Sequence, residues 1–196
     1  TLLKNLRKQL GGAFYADRQI VALEPDAITW DIERFSALAA ENDIAAWVQA
    51  SALYQGEFMR GFQLDASVEF EDWLETTRHF WFDAVNRVLR NISDYYLQHD
   101  QAEKALAYTR RWLELEPWQE KAHRQQMWLH WQLGNFDEAL AQYERCTTRL
   151  EHDLDIEPSL QTFELYELIL KDQSKRQWQD VHEPAHTQQP SQQLSQ

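Results

Sequence analysis

Hydrophobic positions along the chain recur mostly with the period of an α-helix. In residues 1–10, TLLKNLRKQL, four leucines (Leu2, Leu3, Leu6, Leu10) fall at helical spacing with Lys4, Arg7 and Lys8 largely opposite. That predicts the end of an amphipathic helix, stopped by Gly11-Gly12. The period then shortens. Residues 19–23 and 27–30 flank Glu24-Pro25-Asp26 and predict two short strands around a turn. From Asp31 the helical period returns. Asp31 is expected to cap a helix carrying Phe35, Leu38 and Ala39; Asn42 or Asp43 is expected to cap one carrying Ala46, Trp47, Ala50 and Leu53. Residues 55–68, with Gly56 and Gly61, read as a loop. A long helix follows, with Trp73, Trp81, Val85, Val88, Ile92 and Tyr96 on its apolar side.

The second half repeats itself. Gln101-Ala102-Glu103-Lys104-Ala105-Leu106 aligns with Asn135-Phe136-Asp137-Glu138-Ala139-Leu140 at a spacing of 34 residues, the tetratricopeptide period. Each copy predicts a helix before a turn and another after it. Gly134 makes the second turn, with Asn135 and Glu138 spaced as a capping box, whereas Asp100 stands in the first copy where Gly would sit. Ala105 and Ala139 are small where paired helices must approach closely. Leu106, Tyr108 and Trp112 in one copy, and Leu140, Tyr143 and Cys146 in the other, are expected to face the partner helix. Glu116-Pro117 and Glu157-Pro158 end the copies, the second seven residues late. A final helix is expected over residues 159–178, and the Gln, Pro, Ser and His of residues 179–196 read as a disordered linker. The fold class is therefore mostly α: antiparallel helix hairpins of tetratricopeptide type, preceded by a short helix and β-hairpin. Such hairpins stack into a curved surface suited to holding a partner.

Composition narrows the chemistry. The chain has 196 residues, with only 5 Gly, 5 Pro and 1 Cys. That leaves little room for turn-dense β folds or phosphate-cradling loops and excludes a disulfide framework or multi-Cys metal site. No apolar run is long enough to span a membrane. A reducing cytoplasmic setting is expected. The first residues are neither a start Met nor a leader, so the chain is expected to be a piece of a longer protein. The formal net charge is −13, but unevenly spread: residues 1–20 carry net +3 and the remainder −16. A surface that acidic repels phosphate, so any DNA contact falls on the first segment.

Four ordered motifs resemble one family. Residues 53–62, LYQGEFMRGF, resemble its LY-GEFL-GF element, and residues 69–74, EFEDWL, its EFEEWL element. Residues 122–127, AHRQQM, resemble AHRQLM; Gln142-Tyr143-Glu144-Arg145-Cys146, then residues 154–159, LDIEPS, resemble QYERC and LGVEPS. These belong to the bacterial transcriptional activator domain, the helical domain behind the winged-helix DNA reader in antibiotic-pathway-type, AfsR-like regulators. The resemblance covers roughly residues 31–172 and departs at Asp155, where the family has Gly.

Residues 5–11 similarly resemble the end of that reader's recognition helix, and residues 18–23 its wing hairpin. The organisation implied is a reader remnant over residues 1–30, the activator domain over 31–178 and the linker over 179–196. By the same resemblance Lys4, Asn5, Arg7 and Lys8 lie at or near the DNA backbone. Ala105, Leu106, Gly134, Ala139 and Leu140 are expected to pack the repeats. The expected role is a regulatory, oligomerisation and protein-interaction domain in transcription activation; the alternative is a helical-repeat adaptor without a transcriptional role. Implied partners are DNA through the mostly missing reader, a second copy, RNA polymerase, or a following ATP-hydrolysing regulatory domain, with no membrane partner and no cofactor.

Catalytic readings are weaker, and no enzyme activity is expected. Glu69, Glu71, Asp72 and Glu75 are expected to start the long helix rather than act as acid and base. His123 and His130 lie seven apart, too far for a helical metal pair; His79 and Asp83 have that spacing but no third ligand. Cys146 is expected to be a buried structural thiol, and Ser51, Ser67, Ser93 and Ser159 stand in no nucleophile motif.

Overall fold

The computed structural model describes residues 2–24, 27–63 and 67–182. Eight α-helices and one two-stranded antiparallel sheet form the described chain, which divides into two compact units between Ile92 and Ser93.

The first unit begins with α1 (Leu2–Leu10), a single 3-10 turn, and a hairpin of β1 (Phe14–Ala16) and β2 (Val21–Leu23), with Phe14 opposite Leu23 and Ala16 opposite Val21. The strands therefore lie earlier than the sequence pattern placed them, and residues 27–30 form none. The cause is Asp17. Its carboxylate accepts hydrogen bonds from the backbone N–H of Gln19 (2.7 Å) and Ile20 (2.8 Å), so the chain reverses there. The same bonds, that of Gln19 foremost, hold the Asp17 carboxyl below the usual range. Arg7 Nη2 donates to the Ala16 carbonyl at 2.7 Å, tying α1 to β1. Pro25 and Asp26, in the expected turn, lie outside the described residues.

Helix α2 (Asp31–Ala40) starts with Asp31 in its first turn, bonded to the Ile32 N–H; Trp30, not Asp31, occupies the cap position and its side chain makes no cap bond. Helix α3 (Ile44–Leu53) is capped by Asp43, whose carboxylate accepts from Ala46 N at 2.9 Å. Helix α4 (Val68–Gln98) buries Leu74, Val85, Val88, Leu89 and Ile92, but Trp73 on the same predicted stripe is 50 % exposed.

The second unit contains the last turns of α4, then α5 (Ala102–Leu115), α6 (Glu120–Gln132), α7 (Phe136–Leu154) and α8 (Leu160–His182), with α5 packed on α6, α6 on α7 and α7 on α8. The 34-residue repeat is present in the backbone itself. Gln101 N–H bonds Tyr96 O and Asn135 N–H bonds His130 O, both at 2.9 Å; Asp100 N–H and Gly134 N–H bond Leu97 O and Trp131 O. That is the Schellman closure twice, with the left-handed residue Asp100 (φ +55°) matching Gly134 (φ +76°). Asn135 holds the cap position of α7 as expected, but its side chain makes no cap bond. Ala105 and Ala139 are fully buried, and Ala139 packs with Met127 and Ile169; Leu106 and Leu140 are half-buried. Asp155, where the family has Gly, also adopts the left-handed conformation (φ +55°) and closes α7. Helix α8 runs four residues beyond the expected end, so residues 179–182 are helical; the rest of the expected linker, residues 183–196, lies outside the described residues.

Candidate interaction groove

Helices α5, α6 and α7 enclose a groove of about 1070 Å³ in the second unit. Arg110 and Glu114 on α5 form one wall, Glu138, Glu144, Arg145 and Arg149 on α7 the other, and His123, Gln126 and His130 of α6 line it between them. The arginines at 145 and 149 are one helical turn apart, which places both on one side of α7.

A chain of hydrogen bonds, buried at its centre, fixes one side of this groove. Arg145 Nε donates to Gln142 Oε1 (2.8 Å), Gln142 Nε2 donates to His123 Nδ1 (2.6 Å), and His123 Nε2 donates to the Pro117 carbonyl (2.8 Å). Since a carbonyl only accepts and the Gln142 amide nitrogen only donates, His123 is the neutral Nε2–H tautomer. Burial lowers the pKa of both His123 and His130. His130 Nδ1 is buried without a hydrogen-bond partner among the described residues. Arg145 also pairs with Glu138 at 3.6 Å.

The family-like motifs supply the supports of this unit. Ala122, Gln125, Gln126 and Met127 are buried within α6. Glu120, just before them, accepts from the backbone and hydroxyl of Ser159 and from Thr162, joining the start of α6 to the start of α8. Burial alone would raise the Glu120 carboxyl, but these bonds outweigh it and hold it below its ordinary value. Tyr143 stacks on Tyr166 with ring centres 4.3 Å apart. In the first unit, Arg78 donates to the carbonyls of Phe58 (3.0 Å) and Met59 (3.1 Å) and so holds the loop after α3.

The residues weighed for chemistry are dispersed. Glu69 and Glu71 lie in the first turn of α4, where Ser67 Oγ accepts from Phe70 N. His79 Nδ1 donates to the Glu75 carbonyl at 3.0 Å. Ser93 is bonded to Thr109 and Gln125, and Ser51 to the Val48 carbonyl. Cys146 is fully buried, and desolvation pushes its thiol up to about 12. No group of three or more His, Cys, Asp or Glu among the described residues is arranged to hold a metal ion. No helix among them is long and apolar enough to cross a membrane. Lys4, Asn5 and Lys8 are exposed on α1, and Arg7 is exposed with its guanidinium bonded to Ala16.

Sequence reasoning missed the groove arginines and Arg78. The spacing of Arg145 and Arg149 was visible, but the open side of a helix stack depends on how its neighbours pack, which no single helix encodes.

No curated protein sequence matches the chain. Among solved structures, it is similar to Mycobacterium tuberculosis EmbR in complex with a low affinity phosphopeptide, at 23 % identity and a TM-score of 0.49. That alignment covers 87 % of this chain and 48 % of the EmbR chain, so the chain spans about half the length of that protein. The profile of the bacterial transcriptional activator domain matches residues 31–170, from the start of α2 well into α8. With well over half its length matched, the chain belongs to the bacterial transcriptional activator domain family.

Proposed function

We propose that this chain is the regulatory and protein-interaction segment of a DNA-binding transcription activator, working through recruitment and geometry. The observation that carries the reading is the groove between α5 and α7. Its walls carry Arg110, Arg145 and Arg149 interspersed with Glu114, Glu138 and Glu144, a mixed-charge surface for a polar partner, and the hydrogen-bonded Gln142 and His123 keep part of its lining rigid. A site whose polar groups are already fixed loses less entropy when a partner docks. The partner would be the transcription machinery, a second copy or a following regulatory domain.

DNA contact would fall to the N-terminal segment, with Lys4, Asn5, Arg7 and Lys8 near the backbone as the end of the reader. The apolar side of α1 supports this: Leu2 and Leu3 are exposed, as for a helix that completes its packing against further residues of a reader. Residues 31–178 would form the activator domain proper, too acidic to bind DNA alone.

The test fuses residues 1–196 to an unrelated DNA reader and measures transcription from a promoter carrying that reader's operator. The expected result is activation several-fold above the reader alone, lost on Arg145→Glu with Arg149→Glu. Absent activation, or activation indifferent to both substitutions, overturns the groove's role. In parallel, residues 31–178 should show no salt-sensitive DNA affinity.

A further inference from the structure

The first unit holds a separate hollow of about 810 Å³, bounded by α2, the end of α3, the loop that follows it and α4. Its lining is mainly apolar and includes five aromatic rings, Trp30, Phe35, Tyr54, Phe58 and Trp81, with Met59 beside them. Phe35 meets Trp81 edge to face, ring centres 5.9 Å apart, so this wall is packed by its own residues while the space remains open. The volume lies within the few hundred to about 1,000 Å³ of small-molecule sites, which are mainly apolar with few polar groups.

A second, independent feature is the construction of the loop. Met59 adopts φ +49°, a left-handed conformation unfavourable for a side chain of its kind. The backbone is held there from outside: Arg78 on α4 donates to the Phe58 and Met59 carbonyls and pairs with Glu57 at 3.6 Å. Arg78 thus holds the loop wall of the hollow in a conformation that its own sequence does not favour. The rim charges also discriminate. Glu57 is matched by Arg78, and the other two charged lining residues, Asp31 and Arg60, carry opposite signs, so the formal charge around the hollow sums to zero.

We propose that this hollow is a binding site for a small, uncharged, ring-containing organic molecule. The ring system would lie among Trp30, Phe35, Phe58 and Trp81, with any polar end toward the Tyr54 hydroxyl. This site is distinct from the groove of the second unit and does not depend on that groove's role.

The test uses the neutral fluorophore N-phenyl-naphthylamine with residues 1–196, read by probe emission and by energy transfer from tryptophan. The expected result is saturable binding of one probe per chain. Ala52→Trp and Gln55→Trp, both at exposed lining positions, should each weaken it at least about tenfold with the melting temperature unchanged. Thr148→Trp, in the other groove, should leave it intact. The anionic anilinonaphthalenesulfonate should bind more weakly than the neutral probe. Failure of saturation, or affinity unmoved by both filling variants, overturns the site. Loss on Thr148→Trp places the probe elsewhere and overturns it as well. One probe per two chains, with concentration-dependent dimerisation, would assign the hollow to an interface instead. Equal or tighter anion binding would overturn the selectivity for uncharged ligands.

Discussion

Gln142 on α7 donates to His123 Nδ1 on α6 at 2.6 Å, leaving the imidazole no free lone pair for a second proton. Burial already lowers its pKa, and that of His130, below the ordinary value near 6.5. The folded state therefore binds fewer protons than the unfolded chain in mildly acidic solution. Stability is full above about pH 6.5 and declines as the pH falls from there toward the lowered folded values. Melting temperature should drop between pH 7 and pH 5, and His123→Gln should flatten that slope. A profile identical to wild type in the variant would remove His123 from the account.

The left-handed turn residues make a matched pair. Gly134→Ala places a Cβ at φ +76° and should cost about 1–2 kcal/mol in denaturant unfolding. Asp100→Gly relieves φ +55° in the other copy and should be neutral or stabilising by up to about 1 kcal/mol. If the copies share one closure, only Gly134→Ala destabilises; a destabilising Asp100→Gly would contradict it.

Ala139 has no room to grow. It is fully buried against Met127 and Ile169, so Ala139→Trp should destabilise by about 1–3 kcal/mol or more through overpacking. An unshifted thermal midpoint would contradict this packing.

Ser93 supports two other buried groups. Its hydroxyl lies 2.5 Å from Thr109 Oγ1 and accepts from Gln125 Nε2 at 3.1 Å. Ser93→Ala removes a partner from both, with an expected cost of about 1–3 kcal/mol by chemical unfolding, while Thr109 retains its bond to the Ala105 carbonyl.

Cys146 should resist thiol reagents. Its raised pKa keeps it neutral at physiological pH, and full burial denies access. Labelling by a disulfide reagent is expected only on unfolding, and prompt labelling of the folded chain would place the thiol at the surface.

The helices were legible because their apolar periods and stop signals are local. The 34-residue spacing predicted equivalent turns, and Tyr96–Gln101 and His130–Asn135 close them identically. The hairpin was misplaced because Pro25 is a louder turn signal than the side-chain bonds of Asp17, which depend on a conformation rather than a residue type. Trp73 shows a related failure: a tryptophan on the right stripe of α4 remains half exposed, since Phe58 and Phe70 meet its ring without covering it. The hollow beneath the loop after α3 was illegible for a different reason. Its walls come from distant segments, and the Arg78 that holds one of them lies about twenty residues from the carbonyls it meets.

The bond from Arg7 to the Ala16 carbonyl has a practical corollary for anyone mapping electrostatics on this segment. Swapping that guanidinium for a neutral group would unfasten helix from hairpin and subtract a positive charge in one stroke, so a weakened complex could not be ascribed to either loss. Lys4 and Lys8, which carry no such architectural duty among the bonds seen, are the clean reporters.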